Sequence, residues 1–119
     1  MVVLDAGIKD KALLAVEILS RLGAVRFAYL FGSHVEGTAD AWSDIDVAVF
    51  MDGIENWDLP RQVNAMTLVM DEAGDDMEVH LFPASALKNP GRGSFAEYIL
   101  RHGVCAFDEN EKETAIPEQ

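Results

Sequence analysis

The residues of this chain that could do chemistry fall into two groups, Gly32-Ser33 and Asp44-Ile45-Asp46, with ten residues, His34 to Ser43, between them. Successive side chains on a strand point to opposite faces with a rise of about 3.3 Å, so Asp44 and Asp46 would share a face with Cα atoms roughly 6.6 Å apart. Ile45, Val47 and Val49 then take the other face, towards a core. Two carboxylates that close disfavour each other's ionisation. Hard cations relieve that cost, and paired metals about 3.5–4 Å apart, as phosphoryl-transfer sites use, would fit between them. Glycine at position 32 lets the backbone approach a ligand, and Ser33 adds a hydroxyl beside exposed N–H groups, which together make a phosphate cradle. A phosphate grip facing a metal grip suggests a bound nucleoside triphosphate. Other uses of an Asp pair fit less well. A calcium loop of the EF-hand type would place further ligands and a glycine where Ala48 and Val49 stand. An aspartyl-phosphate phosphatase would carry its pair after the hydrophobic strand rather than before it.

Both groups need strands to hold them. Val25, Phe27, Tyr29 and Phe31 alternate with Arg26, Ala28 and Leu30, which predicts a strand over 25–31. A second strand follows over 46–51 and stops at the turn pair Asp52-Gly53. A short helix or turn is expected after Ser33, and Trp42 is expected to pack, with a second reading as cover for the site or a base. Upstream, Ile8, Ala12, Ala15, Val16, Leu19 and Leu22 keep helical spacing up to Gly23, with Asp5 as a possible N-cap. Asp58 caps a further helix with Pro60 in its first turn, Gly74 after its end, and an apolar stripe of Leu59, Val63, Met66, Met70 and Ala73.

Residues 76–82 alternate again, with Met77, Val79 and Leu81 to the core and Asp76, Glu78 and His80 opposite. His80 is expected to be a satisfied surface histidine, with reach to the metal face as the second reading. Ser94-Phe95-Ala96-Glu97 is a capping box for a helix through Arg101, closed by Gly103. The Gly91-Arg92-Gly93 segment before it reads as a hinge or turn. A final short strand over 104–107 completes residues 1–107 as one domain, and the acidic, polar residues 108–119 read as a mobile tail. The element order implies an α/β layer structure with a mixed sheet of four or slightly more strands, flanked by helices.

Composition narrows the setting. At 119 residues and 50% hydrophobic, the chain is expected to be one globular domain. No apolar run approaches the ~20 residues of a membrane span, and the N-terminus lacks a signal-peptide pattern. One cysteine, Cys105, fits a reducing cytoplasm and is expected to be a buried small apolar residue rather than a nucleophile. A net charge of -12, with nine scattered Lys and Arg, opposes direct nucleic-acid binding and suits a basic protein partner.

The stretch GSHVEGTADAWSDIDVAVF resembles the signature of the minimal nucleotidyltransferases, in the polymerase-beta-like superfamily. That signature joins Gly-Ser, ten residues, and Asp-x-Asp leading into a hydrophobic strand. The resemblance covers about Leu4 to Phe107 and implies the nucleotidyltransferase fold. It also implies that Gly32 and Ser33 hold nucleotide phosphates, that Asp44 and Asp46 bind Mg²⁺ (or Mn²⁺), and that ATP or another nucleoside triphosphate is the substrate. A third acidic residue comes, in the family, from a strand beside the Asp-x-Asp strand. Glu78 matches that place as metal ligand or base, and Asp76 is the second candidate.

Stand-alone members of this size resemble antitoxins paired with helical HEPN-type ribonuclease toxins, some of which are adenylylated on a tyrosine. The implied function is therefore AMP transfer to such a partner, with neutralisation by binding alone as the alternative. Three departures bear on that choice. His34 and Glu36 stand where many relatives carry Arg, and position 78 holds Glu where Asp is usual.

Overall fold

Two stretches, Val25–Phe31 and Ile45–Met51, are apolar on both sides of the pleat apart from Arg26 and Asp46, so a sheet built on them must be covered on both faces. A computed structural model, which describes residues 6–40 and 42–114, shows how this is done. The elements are α1 (Ala6–Ser20), β1 (Val25–Phe31), α2 (Ser33–Glu36), β2 (Ile45–Met51), α3 (Leu59–Ala73), β3 (Met77–Pro83), α4 (Phe95–His102), β4 (Val104–Asp108) and α5 (Glu109–Thr114), with 3-10 turns at Ile54–Asn56 and Ala84–Leu87. The four strands form one mixed sheet in the order β3-β2-β1-β4. β2 and β3 are parallel, and β1 is antiparallel to both β2 and β4. A parallel pair needs a crossover, and α3 supplies it. The mixed α/β sheet expected from the element order is the one observed.

Helices α1 and α3 close one face over Ala28, Leu30, Ile45, Val47, Val49, Met77 and Val79. On the other face Ala96 and Ile99 of α4 meet Phe31, Ala48 and Phe50. The caps follow the sequence: Asp58 accepts from Arg61 N–H at 2.9 Å, and the Ser94 hydroxyl accepts from Glu97 N–H at 3.1 Å. The Glu97 carboxylate accepts from Gly93 N–H at 2.8 Å, so the reciprocal arm of the box lands one residue before the cap. The proposed cap Asp5 lies outside the described residues.

Several expectations are corrected. The buried residues of α3 are Ala65, Val69 and Ala73, whereas Leu59, Val63 and Met70 are 69%, 45% and 39% exposed. The two alanines let the helix approach α1 and the sheet closely, which turns the larger side chains out to the flank. On α1, Ile18 joins the buried face, and Leu22, beyond the helix end, is 38% exposed. Cys105 is exposed, because β4 is an edge strand whose core-facing residue is its neighbour Ala106. Its Sγ donates to the Phe107 carbonyl at 3.4 Å, and partial desolvation pushes the thiol above its ordinary range, which disfavours the nucleophilic thiolate. Within the segment expected to be a tail, residues 109–114 form α5, and Glu109 pairs with Arg26. No helix among the described residues is long and apolar enough to cross a membrane.

Candidate active site

The site is built by strand register. In the parallel β2–β3 pair Asp46 stands opposite Glu78, and in the antiparallel β1–β2 pair it stands opposite Phe31. Residues directly across a ladder point to the same face, so the two carboxylates lie side by side on the α4 side of the sheet. His80, two residues along β3, joins them. Its Nε2 lies 3.5 Å from Asp46 Oδ1 and 3.4 Å from Glu78 Oε2. One ligand atom from each of Asp46, Glu78 and His80 falls within 4.8 Å of the other two.

His80 has a larger place in the site than its strand parity alone implies. Its ring packs edge-on against Phe31 at 5.1 Å and Phe95 at 5.6 Å. Its Nε2 is, among the described residues, the one buried side-chain nitrogen or oxygen without a hydrogen-bond partner. It is therefore not a satisfied surface histidine. Strand parity already placed it on this face; its burial comes from Phe95, contributed by a different element.

Asp76 goes elsewhere. It precedes β3, and its carboxylate receives both bonds of Lys11 on α1, at 2.8 and 2.9 Å. Its carbonyl accepts from Ile45 N–H at 2.7 Å, which starts the parallel pairing. Strand register and this ion pair together leave Glu78 as the acid beside Asp46. Asp44 lies one residue ahead of β2, is exposed, and is not part of the Asp46–Glu78–His80 group. β2 begins only at Ile45, so Asp44 stands just ahead of the strand that was expected to carry it. Asp44 lines a pocket of about 330 Å³ with Val63, Met66, Met70, Asp75 and Glu78, at the flank where α3 turns its larger residues out.

Gly32 ties the turn to the carboxylates. Its φ is 83°, in the region that favours glycine, and a Cβ there would collide with Asp46 Oδ2. Asp46 can pack against this turn only because position 32 has no side chain. The Val35 and Glu36 N–H groups bond back to the Gly32 carbonyl, each at 3.0 Å. The leading N–H groups of the turn, at Ser33 and His34, have no acceptor within the helix.

The loop before Asp44 is pinned from both ends. His34 Nε2 lies 3.3 Å from the Ser43 carbonyl, and Asp40 accepts from Trp42 N–H at 2.9 Å and from the Ser43 hydroxyl at 3.1 Å. These bonds, that from Trp42 N–H first, hold the Asp40 carboxyl below its usual range. The Trp42 side chain is 90% exposed, so its expected packing role is not observed. Glu36 is bound by the Tyr98 hydroxyl of α4 at 2.9 Å, and this bond raises the phenol above its ordinary range. Arg92 sits exposed on the turn between Gly91 and Gly93.

A comparison with curated proteins finds no match to the chain. The family described as Polymerase beta, Nucleotidyltransferase matches residues 15–112, a span that includes every strand and every side chain placed above apart from Lys11. By class this is a nucleotidyltransferase domain. The chain belongs to that family, which implies a nucleoside triphosphate substrate and a divalent metal. The residues fit such a metal: two carboxylates converge with a buried, unpartnered imidazole nitrogen, a donor set that divalent ions accept.

Proposed function

We propose that this protein transfers AMP from ATP to a hydroxyl, by preference a tyrosine hydroxyl, of a helical HEPN-type ribonuclease, and so acts as that toxin's antitoxin. The observation that carries the transfer reading is the Asp46–Glu78 register with Gly32 packed on Asp46. It sets the turn proposed to hold phosphate directly against a carboxylate pair. In the proposed reaction the acceptor oxygen bonds to the α-phosphorus in line with the leaving oxygen, and pyrophosphate departs. Gly32 and Ser33 hold phosphate, Asp46 and Glu78 hold Mg²⁺ or Mn²⁺, and Asp44 completes the acidic set from its loop. Glu78 is a metal ligand or takes the acceptor's proton. The metal, when bound, offsets charge on the phosphates.

A protein acceptor is supported by two features. The net charge of -12 favours a basic partner. Exposed Val63 and Met70 line the pocket that also holds Asp44 and Glu78, an apolar and acidic landing beside the chemistry. Neutralisation by binding alone is the second reading. Glu36 favours it, since a carboxylate near a triphosphate repels it, although Tyr98 now engages that group.

The test is the intact mass of the partner ribonuclease after incubation with this protein, ATP and Mg²⁺. Addition of one or more AMP units, with RNA cleavage still blocked after this protein is removed, is the expected outcome. An unmodified partner that regains activity on separation, and that Asp44→Asn/Asp46→Asn protects as well as wild type, would establish binding alone.

A further inference from the structure

The transfer reaction proposed above gives the histidine beside the two carboxylates no part, and its geometry restricts what it can be doing. A hydrogen-bonding bridge between Asp46 and Glu78 would bring Nε2 to about 2.7–3.2 Å from an oxygen. At 3.5 and 3.4 Å neither contact is made as a hydrogen bond. In a half-buried histidine placed only to fill space, the buried nitrogen would have found a hydrogen-bond partner, as buried polar atoms nearly always do, and this one has carboxylate oxygens at ion-pair distance only. Ligands held about 2.0–2.2 Å from a common ion lie up to about 4.4 Å apart. Both separations fall inside that limit. Phe31 and Phe95 hold the ring edge-on and limit its freedom to turn away.

We propose that His80 is a metal ligand together with Asp46 and Glu78, and that this donor set makes the site prefer a divalent first-row transition ion over Mg²⁺. Mg²⁺ binds oxygen donors in strict octahedra and gains little from imidazole. Transition ions accept the nitrogen, with affinity rising from Mn²⁺ to Co²⁺ and then to later ions of the series. The inference rests on the nucleotidyl-transfer reading only for the expectation of a metal here, and it can be tested without nucleotide or partner.

The experiment is calorimetric titration of the full chain with Mn²⁺, Co²⁺ and Mg²⁺, together with pulsed electron spin resonance of bound Mn²⁺ to detect a coordinated ¹⁴N. Wild type is expected to bind Mn²⁺ about tenfold or more tightly than Mg²⁺, with Co²⁺ tighter still, and to show the nitrogen coupling. Loss of a group one shell further out already costs roughly 10–100-fold in metal affinity. His80→Gln should therefore lose at least about tenfold for Mn²⁺ and Co²⁺. It should also lose the ¹⁴N signal while changing Mg²⁺ affinity far less. His80→Ala checks the same loss without an amide, and circular dichroism confirms that each variant is folded. Should both variants unfold, the wild-type ¹⁴N coupling and the Mn²⁺-to-Mg²⁺ ratio decide. Absence of nitrogen coupling in wild type, or equal Mn²⁺ and Mg²⁺ affinities, overturns the assignment. An inactive protein that still shows the coupling and the preference would sustain it while removing the transfer reading. Active transfer with no nitrogen coupling would do the reverse.

Discussion

The face of the sheet under α1 and α3 is covered by two helices of 15 residues each, and the strand residues it buries are apolar. The opposite face is covered by α4, of eight residues, over Ala48 and Phe50. There the same strands present Asp46, Glu78 and His80, and Phe95, the first residue of α4, packs on His80 at the boundary. Alternation sends Val47 and Val79 to the first face and their neighbours Asp46, Glu78 and His80 to the second. Apolar burial is worth about 25 cal/mol per Å², so the first face supplies stability that can tolerate crowded carboxylates on the second. Chemistry here sits on the less covered side of strands that are anchored from the other.

That separation can be broken in a graded way. The largest effect is expected from Asp46→Asn, which should lower nucleotide transfer by roughly 10²–10³, as loss of a single electrostatic stabiliser does, without lowering the melting temperature. Next is Ile18→Ala, at a fully buried position on the opposite side. It should cost about 2–5 kcal/mol in urea unfolding and leave transfer per folded molecule unchanged. Gly32→Ala should be smaller in stability but should cross the divide. An L-residue at φ 83° and ψ -155°, a region essentially reserved for glycine, costs about 1–3 kcal/mol, and the added Cβ displaces Asp46, so transfer should fall as well. A Gly32→Ala protein with full activity would show that the turn and the carboxylate are not coupled.

Much of this was readable from residue order. The strands expected over 25–31 and 46–51 stand out as apolar runs bounded by turn residues, and Asp58, Gly74 and Ser94 mark helix ends that hydrogen bonds then show. The face of α3 was readable only in part: Ala73 is buried and Met66 packs on the core as expected, but Val63 and Met70 outweigh Ala65 on any apolarity scale and yet lie outside. Closeness to α1 favours the alanines instead. Alternation also could not separate Asp76 from Glu78. Asp76 is claimed by Lys11, 65 residues earlier, and β3 starts just after it. His80 had the right parity for the site, but its burial depends on Phe31 and Phe95, which lie on other elements.

The most direct test of the account compares Glu78→Gln with Asp76→Asn in pyrophosphate release during nucleotide transfer. Both change one carboxylate to an amide on nearly adjacent residues, so composition and surface charge change equally. If the chemistry lies where Asp46 and Glu78 face each other, Glu78→Gln loses roughly 10²–10³ in rate with its fold intact. Asp76→Asn gives up only a half-exposed ion pair, worth about 0.2–1 kcal/mol of stability, and keeps its activity. A protein crippled by Asp76→Asn and untouched by Glu78→Gln would contradict the site as assigned.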